Sequence, residues 1–128
     1  MRALTIRQPW AWAILHAGKR IENRTWKPPE WAMGTLLAIH AGGMLEEEGV
    51  AWLKDHGIGV PSNIPRAAIV GTARIAGVIE KPVSDIWWHG PVGWLLDEVT
   101  PLSEPLPCPG KLGLWTVPDE LLEHIDKK

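Results

Sequence analysis

Residues 3–26 read Ala-Leu-Thr-Ile-Arg-Gln-Pro-Trp-Ala-Trp-Ala-Ile-Leu-His-Ala-Gly-Lys-Arg-Ile-Glu-Asn-Arg-Thr-Trp. Apolar and polar side chains alternate over 3–7, which is typical of a half-buried strand. A proline then suits the first turn of a helix over 9–17, because the first N–H groups of a helix have no partner within it. Gly18 suits a left-handed cap at the end of that helix. Residues 20–26 are predicted to follow as a second strand.

Three charged residues lie where the chain turns from the predicted helix into this second strand. Lys19, Glu22 and Arg24 are flanked by Trp10 and Trp26. Burying such groups without partners is unfavourable, so they are expected to pair or to meet a ligand. Charges of both signs beside flat aromatic rings suit a polar, planar ligand such as a nucleobase with its phosphate.

The rest of the chain predicts four more strands and two more helices. The predicted strands are 35–41, 67–80, 92–99 and 112–117; the predicted helices are 44–56 and one beginning at Pro118, with a short helical turn over 85–89. Gly42-Gly43 is expected to end a strand, and Gly71 and Gly77 predict bulges or bends. Prolines at 101, 105, 107 and 109 predict an extended connection without pairing.

These elements predict a mainly β protein with peripheral helices, in the α+β class. About six strands without βαβ regularity favour a small closed or partly closed β-barrel over a doubly wound sheet. With 128 residues, one domain over 1–128 is expected.

Composition narrows the class of protein. The chain is 45% hydrophobic and 22% charged, as in ordinary globular domains. It has no apolar run of membrane-spanning length and no secretory leader pattern, so we expect a cytoplasmic protein without membrane contact. The single Cys108 excludes an internal disulfide. No Cys/His cluster has zinc spacing and no phosphate-loop motif is present, so neither a metal nor a cofactor is expected.

The charge is unevenly distributed along the chain. Its net value is only −2, which argues against a strongly basic nucleic-acid binder. Residues 1–43 nevertheless carry six Lys and Arg against two Glu, whereas residues 44–128 carry seven basic and thirteen acidic side chains. A local positive patch on an acidic protein favours a short or single-stranded ligand over long duplex.

Tryptophan is the only aromatic residue apart from histidine. Nine Trp occur without any Phe or Tyr, so most of them are expected in the core. Those beside glycine, proline or charge are candidates for a ligand surface, namely Trp10, Trp26, Trp88 and Trp94.

Taken together, the motifs resemble those of the ASCH domain family over about residues 3–118. The motifs are Ile6-Arg7-Gln8-Pro9-Trp10-Ala11, Gly18-Lys19-x-x-Glu22-x-Arg24-x-Trp26, Gly34-Thr35-Leu36-Leu37-Ala38-Ile39-His40-Ala41, Ala68-Ile69-Val70-Gly71, Trp88-His89-Gly90-Pro91-Val92-Gly93-Trp94 and Leu112-Gly113-Leu114-Trp115. The resemblance implies a PUA-like β-barrel with a cleft lined by these motifs, and RNA or nucleotide binding as the general role. One group in the family, the N4-acetylcytidine amidohydrolases, uses a lysine at the position of Lys19 with a threonine three residues later. Here that residue is Glu22.

Ten residues are candidates for the site: Arg7, Gln8, Trp10, Lys19, Glu22, Arg24, Trp26, His40, Trp88 and His89. Lys19 either caps the helix or contacts phosphate, and as a base or nucleophile it is also a candidate catalytic residue. Glu22 and Arg24 form either a structural ion pair or a pair that reads a base edge and a phosphate. His40, in an apolar strand, is either a core residue or part of the cleft. The glutamates at 46–48 are expected on a solvated helix face.

Three functions remain open from the sequence. The first is a module that binds RNA or a nucleotide through Lys19, Glu22 and Arg24 with tryptophan stacking. The second is a hydrolase of a modified nucleoside or of RNA, with Lys19 and Glu22 as an acid/base pair. The third is a protein-interaction module that docks a partner on exposed Trp and Pro residues.

Overall fold

The computed structural model describes residues 1–126 and contains six strands and three helices. The strands are β1 (Arg2–Gln8), β2 (Ile21–Arg24), β3 (Leu36–Leu45), β4 (Ala68–Ile79), β5 (Val92–Pro107) and β6 (Leu114–Thr116); the helices are α1 (Trp10–His16), α2 (Glu47–Asp55) and α3 (Asp119–Asp126), with a 3₁₀ turn at Glu30–Ala32. The mainly β class with peripheral helices is therefore confirmed. The expected domain, 1–128, includes Lys127 and Lys128, which lie outside the described residues.

All six strands belong to one sheet in the order β2-β5-β4-β3-β1-β6. Only the β1–β3 pair is parallel; the other neighbours are antiparallel. The expected barrel is not confirmed, because β2 and β6 are edge strands that do not pair with each other within residues 1–126. The ladder between β4 and β5 shifts register three times, including at Gly71 and Gly77, where bulges are predicted. Bulges increase local twist and bend a sheet.

A side chain rather than a backbone ladder links β2 to β1. The Nη2 atom of Arg24 on β2 donates to the backbone carbonyl of Thr5 on β1 at 2.7 Å. These two strands stand first and fifth in the sheet order, so the sheet must curve strongly for the contact to form. Backbone hydrogen bonds thus leave β2 and β1 unpaired with each other, and the Arg24 side chain connects them.

The proline-rich segment after residue 99 is part of β5, so the predicted unpaired connection is wrong. Pro101 lies opposite Gly71, and Pro107 lies opposite Ala68. On the other side of β5, β2 pairs only with residues 92–95. The later half of β5 is therefore a sheet edge, and an edge tolerates proline because no partner strand needs its missing N–H.

Gly42 and Gly43 also lie inside a strand, contrary to the expected break. The β1–β3 register shifts between Ile6 and Gln8, and β3 continues past the glycines to Leu45. The glycines thus permit an irregularity in the ladder rather than ending it. As a result α2 begins later than predicted, at Glu47. Separately, the segment 85–89 forms a turn at residues 86–87 instead of a helical one.

Helix α1 packs on the sheet through a glycine. A Cβ built on Gly71 would clash with the side chain of Leu15 and lie 2.8 Å from the carbonyl oxygen of Thr100. Gly71 is thus required for close approach of helix and sheet. Among the tryptophans, Trp87, Trp94 and Trp115 are buried in the core.

We expect Gly71→Ala to destabilise the fold by about 1–3 kcal/mol, because the added methyl overpacks a tight contact. The matched control is Gly59→Ala, since a Cβ there meets nothing within 4 Å. Urea unfolding of the two variants measures the difference, and equal midpoints would show that the contact is not tight.

Candidate functional site

A cleft of about 880 Å³ opens beside the bridge between β1 and β2. It is lined by Thr5, Ile6, Arg7, Trp10, Lys19, Glu22, Asn23, Arg24, Thr25, Trp26, Glu46, Glu48, Gly49, Trp52, His89, Lys111, Leu112 and Gly113. Its volume falls within the usual range of small-molecule sites.

Lys19, Glu22 and Arg24 meet in this cleft and form what we term the charged triad. The ammonium Nζ of Lys19 donates to the Ile21 carbonyl and, at 3.1 Å, to Oε1 of Glu22. The other oxygen, Oε2, accepts from Nε of Arg24 at 2.9 Å. The Lys19 and Glu22 side chains are only 3% and 8% exposed, so the pair is almost removed from water. The convergence predicted from their spacing is therefore present.

The local backbone conformation determines where the side chains of the charged triad lie. Gly18 has a φ of +76°, as predicted for a left-handed cap. The backbone N–H of Lys19 then returns to the Ala13 carbonyl at 3.1 Å, which closes the helix end and fixes where the lysine starts. Glu22 and Arg24 are two residues apart on β2, so they project to the same face of the strand.

The charged triad carries two positive groups and one negative group. Lys19 and Arg24 each have further N–H donors beyond the bonds described above. A partly enclosed site with excess positive charge is stabilised by an anion, since that anion replaces lost hydration of the cations. The geometry therefore favours an anionic group above the triad.

One side of the cleft is an aromatic wall formed by Trp10, Trp52 and His89. Trp52 is its centre: the ring centroids of Trp10 and His89 lie 5.9 and 5.5 Å away. His56 stacks on Trp52 at 3.8 Å, and Trp87 lies 5.6 Å from it. Four neighbouring rings thus hold the Trp52 indole in one orientation.

The wall is in contact with the charged triad. The Lys19 ammonium lies 5.9 Å from the centre of the Trp10 ring, within the range of a cation–π interaction. The indole N–H of Trp10 donates at 3.3 Å to Glu46, the residue before α2, which fixes the ring beside the start of that helix. A Cβ on Gly49 would lie 2.9 Å from that ring, so the contact requires glycine.

Asn23 positions the remaining member of the wall. Its Oδ1 accepts from the backbone N–H groups of His89 and Gly90 at 2.9 and 3.0 Å. Its Nδ2 donates to the Trp87 carbonyl at 2.9 Å. One amide on β2 therefore holds the loop that carries His89.

Comparison with models of known protein families gives a match that covers most of this chain. A model described as the ASCH domain matches residues 4–87, which include the charged triad and Trp52. The chain belongs to the ASCH domain family.

Solved structures share the fold of this ASCH domain. A crystal structure of an ASCH protein from Zymomonas mobilis has a TM-score of 0.58 and 14% identity, over 96% of this chain and 91% of that one. A mutant form of the same protein has a TM-score of 0.57 and 14% identity, over 95% and 91% of the two chains. Among curated proteins, none matches this sequence significantly.

Most of the sequence-predicted site residues of the ASCH domain line the cleft. They are Arg7, Trp10, Lys19, Glu22, Arg24, Trp26 and His89. Trp26 packs edge-on against the fully buried Trp94 at 4.8 Å, and its carbonyl accepts the Trp94 indole N–H. Sequence reasoning missed Asn23, Glu48, Trp52 and Lys111. Glu48 and Trp52 are four residues apart on α2, and that shared helix face was the available signal.

Three predicted residues do not line the cleft. Gln8 is buried, accepting from the Trp12 N–H at 2.9 Å and donating to the Pro65 carbonyl at 2.7 Å. Trp88 packs over Gly93, whose added Cβ would lie 3.0 Å from its ring. His40 is also buried and reaches the cleft only through its neighbours. The polar groups of Gln8 and His40 are therefore used within the protein, whereas Trp88 is half-buried outside the cleft, and a ligand role for these residues stays a prediction.

His40 takes part in a chain of hydrogen bonds beneath the cleft. Its Nε2 faces the Cys108 carbonyl at 2.8 Å and must donate to it. In the neutral ring Nδ1 accepts from the Thr5 hydroxyl at 3.2 Å, which itself accepts the Trp115 indole N–H at 3.0 Å. A Cβ on Gly110 would lie 2.8 Å from His40, so the segment leading to Lys111 rests on this ring.

Among residues 1–126, no group of three His, Cys, Asp or Glu side chains is arranged to hold a metal ion. In that same range, every helix is too short or too polar to cross a bilayer.

Burial lowers the pKa of His40, an effect that the Cys108 carbonyl partly opposes. The unfolded chain therefore binds this proton more readily than the folded one, and stability is fully present above the ordinary histidine pKa of about 6.5. We expect the free energy of unfolding to fall as the pH drops below that value. His40→Gln should show a shallower fall from pH 7 to 5 in urea titrations. An unchanged slope would contradict this assignment.

Proposed function

We propose that this ASCH domain binds short or single-stranded RNA, or a nucleotide, in the cleft. The phosphate would lie above the charged triad and a base against the aromatic wall. The observation that carries the proposal is the excess positive charge of Lys19 and Arg24 in a partly enclosed site beside Trp10. Phosphate suits such donors, and aromatic rings suit bases of any sequence.

Single-stranded character follows from the aromatic wall. A base can reach a tryptophan ring only when it has left its own stack, as in loops, ends and free nucleotides. The cleft also carries Glu46 and Glu48 at its α2 side. These carboxylates disfavour a continuous phosphate backbone there, so a ligand with one or a few phosphates fits better than a duplex. A cytoplasmic place of action suits such a ligand and is part of this proposal.

Lys111 offers a clean test, because it lines the cleft but is exposed on a loop. We expect Lys111→Ala to weaken binding of a short unstructured RNA and to lower the slope of log affinity against log salt by about one. The control is Lys54→Ala, an exposed lysine on α2 outside the cleft.

Arg24→Gln removes a cation from the charged triad and should reduce affinity for the same RNA more strongly than Lys111→Ala. Fluorescence anisotropy gives both affinities, and circular dichroism confirms that each variant is folded. Should wild type fail to bind, or both cleft variants match Lys54→Ala, the proposed function is wrong.

Hydrolysis is a second candidate, favoured by one observation. Lys19 and Glu22 lie 3.1 Å apart on the cleft surface, within reach of proton transfer. An acid/base role would use Glu22 to take a proton from water and Lys19 to return one to a leaving group. Incubation with acylated cytidines and with end-labelled RNA tests this candidate. Turnover that is lost in Glu22→Gln supports hydrolysis, whereas binding without turnover leaves the domain as a binding module.

A further inference from the structure

The charged side chains that line the cleft fall into two groups, Lys19 and Arg24 with Glu22 at one end and Glu46 with Arg7 and Glu48 at the other. Lys19, Arg24 and Lys111 are contributed by β2 with its preceding turn and by the loop before β6. At the other end, α2 contributes Glu48 and Trp52 beside the rings of Trp10 and His89. We call these the basic end and the acidic–aromatic end.

Two glutamates lie at the acidic–aromatic end, and they differ in their partners. Glu46 is engaged by the Trp10 indole N–H at 3.3 Å and by Arg7 at 3.5 Å. Glu48 is exposed and makes neither an ion pair nor a side-chain hydrogen bond with any residue in the range 1–126. Its carboxylate is therefore the acceptor still available to a ligand.

The position of Glu48 relates it directly to the wall. Residues four apart on a helix lie on the same face, so Glu48 stands one turn from Trp52. Trp52 is already held by its ring neighbours, including His56 at 3.8 Å. A planar group that rests on this wall meets a preorganised surface, and Glu48 lines the same cleft one helical turn from Trp52.

We propose that the acidic–aromatic end selects a nucleobase that carries an exocyclic amine, such as cytosine or adenine, through Glu48. An ionised carboxylate only accepts hydrogen bonds, so an amine at the base edge donates to it. Uracil and hypoxanthine place a carbonyl oxygen at the same position, and that oxygen repels the carboxylate. This inference rests on the proposed nucleotide-binding function and names the class of base it prefers.

The dimensions of the cleft suit one nucleotide spanning both ends. The Lys19 ammonium lies 5.9 Å from the Trp10 ring, and the Trp10 ring lies 5.9 Å from the Trp52 ring. The distance from the Lys19 ammonium to the Trp52 ring therefore cannot exceed the sum of these two distances. A phosphate at the basic end and a base at the acidic–aromatic end would lie within that span. The ligand's own charge distribution, an anion at one side and amine donors at the other, matches that of the cleft.

The test compares nucleoside 5′-monophosphates that differ only in this group. Isothermal titration should show that the cytosine nucleotide binds about tenfold to hundredfold more tightly than the uracil nucleotide, as one hydrogen bond to a charged acceptor would give. The adenine nucleotide should exceed the hypoxanthine nucleotide by a similar factor. Equal affinities within both pairs overturn this inference but leave the proposed function standing. No binding by any of the four overturns this inference, whereas the proposed function is overturned only if the short RNA also fails to bind.

Two single-residue variants locate the effect. Glu48→Gln gives a side chain that both donates and accepts, so the preference within each pair should fall to about one. Glu47→Gln is the matched control, because Glu47 neighbours Glu48 on α2, is also exposed and does not line the cleft. It should keep the wild-type preference. A preference that survives Glu48→Gln, or that disappears in Glu47→Gln as well, overturns the role of Glu48.

Discussion

The Arg24 guanidinium joins the two parts of the sheet that the backbone leaves apart. Its Nε binds Glu22 at 2.9 Å and its Nη2 binds the Thr5 carbonyl at 2.7 Å. Hydrogen bonds to charged groups each contribute about 1.5–3 kcal/mol, more than neutral ones. Because the same side chain also lines the cleft, both the side-chain link between β1 and β2 and part of the positive charge of the cleft depend on Arg24.

This arrangement also explains why the charges are tolerated. Lys19 would be unfavourable alone in a buried position, but Glu22 and a backbone carbonyl accept from it. Glu22 in turn is shared between two cations, Lys19 and Arg24. The charged triad therefore has a net positive charge although Lys19 and Glu22 are almost fully buried. Each group is thus stabilised individually while the charged triad keeps a net positive charge, and this charge is the basis of the proposed anion binding.

Much of the geometry of the charged triad could be predicted from local sequence patterns. Strand alternation placed Glu22 and Arg24 on one face, and Gly18 located the turn that delivers Lys19. Sheet order was not predictable, because it depends on long-range pairing such as β1 with β3. Without that order, the proline-rich part of β5 could not be known to lie at an edge. Trp52 was missed for the same reason: its helix face has meaning only once α2 is packed beside Trp10. Gln8 shows the converse, since its amide bonds to Trp12 and Pro65 rather than to a ligand, and for His40 only tertiary contacts decide between the two roles left open by the sequence.

β2 is only four residues long and has a strand neighbour on one side alone. Short edge strands are among the first parts of a fold to fray in local opening. Asn23 on this strand anchors the His89 loop, and its neighbours Glu22 and Arg24 line the cleft as part of the charged triad. Detachment of β2 would therefore displace both the charged triad and the His89 side of the aromatic wall. Ligand contacts to either would oppose that detachment, so occupancy should be read out as slower hydrogen exchange along this strand.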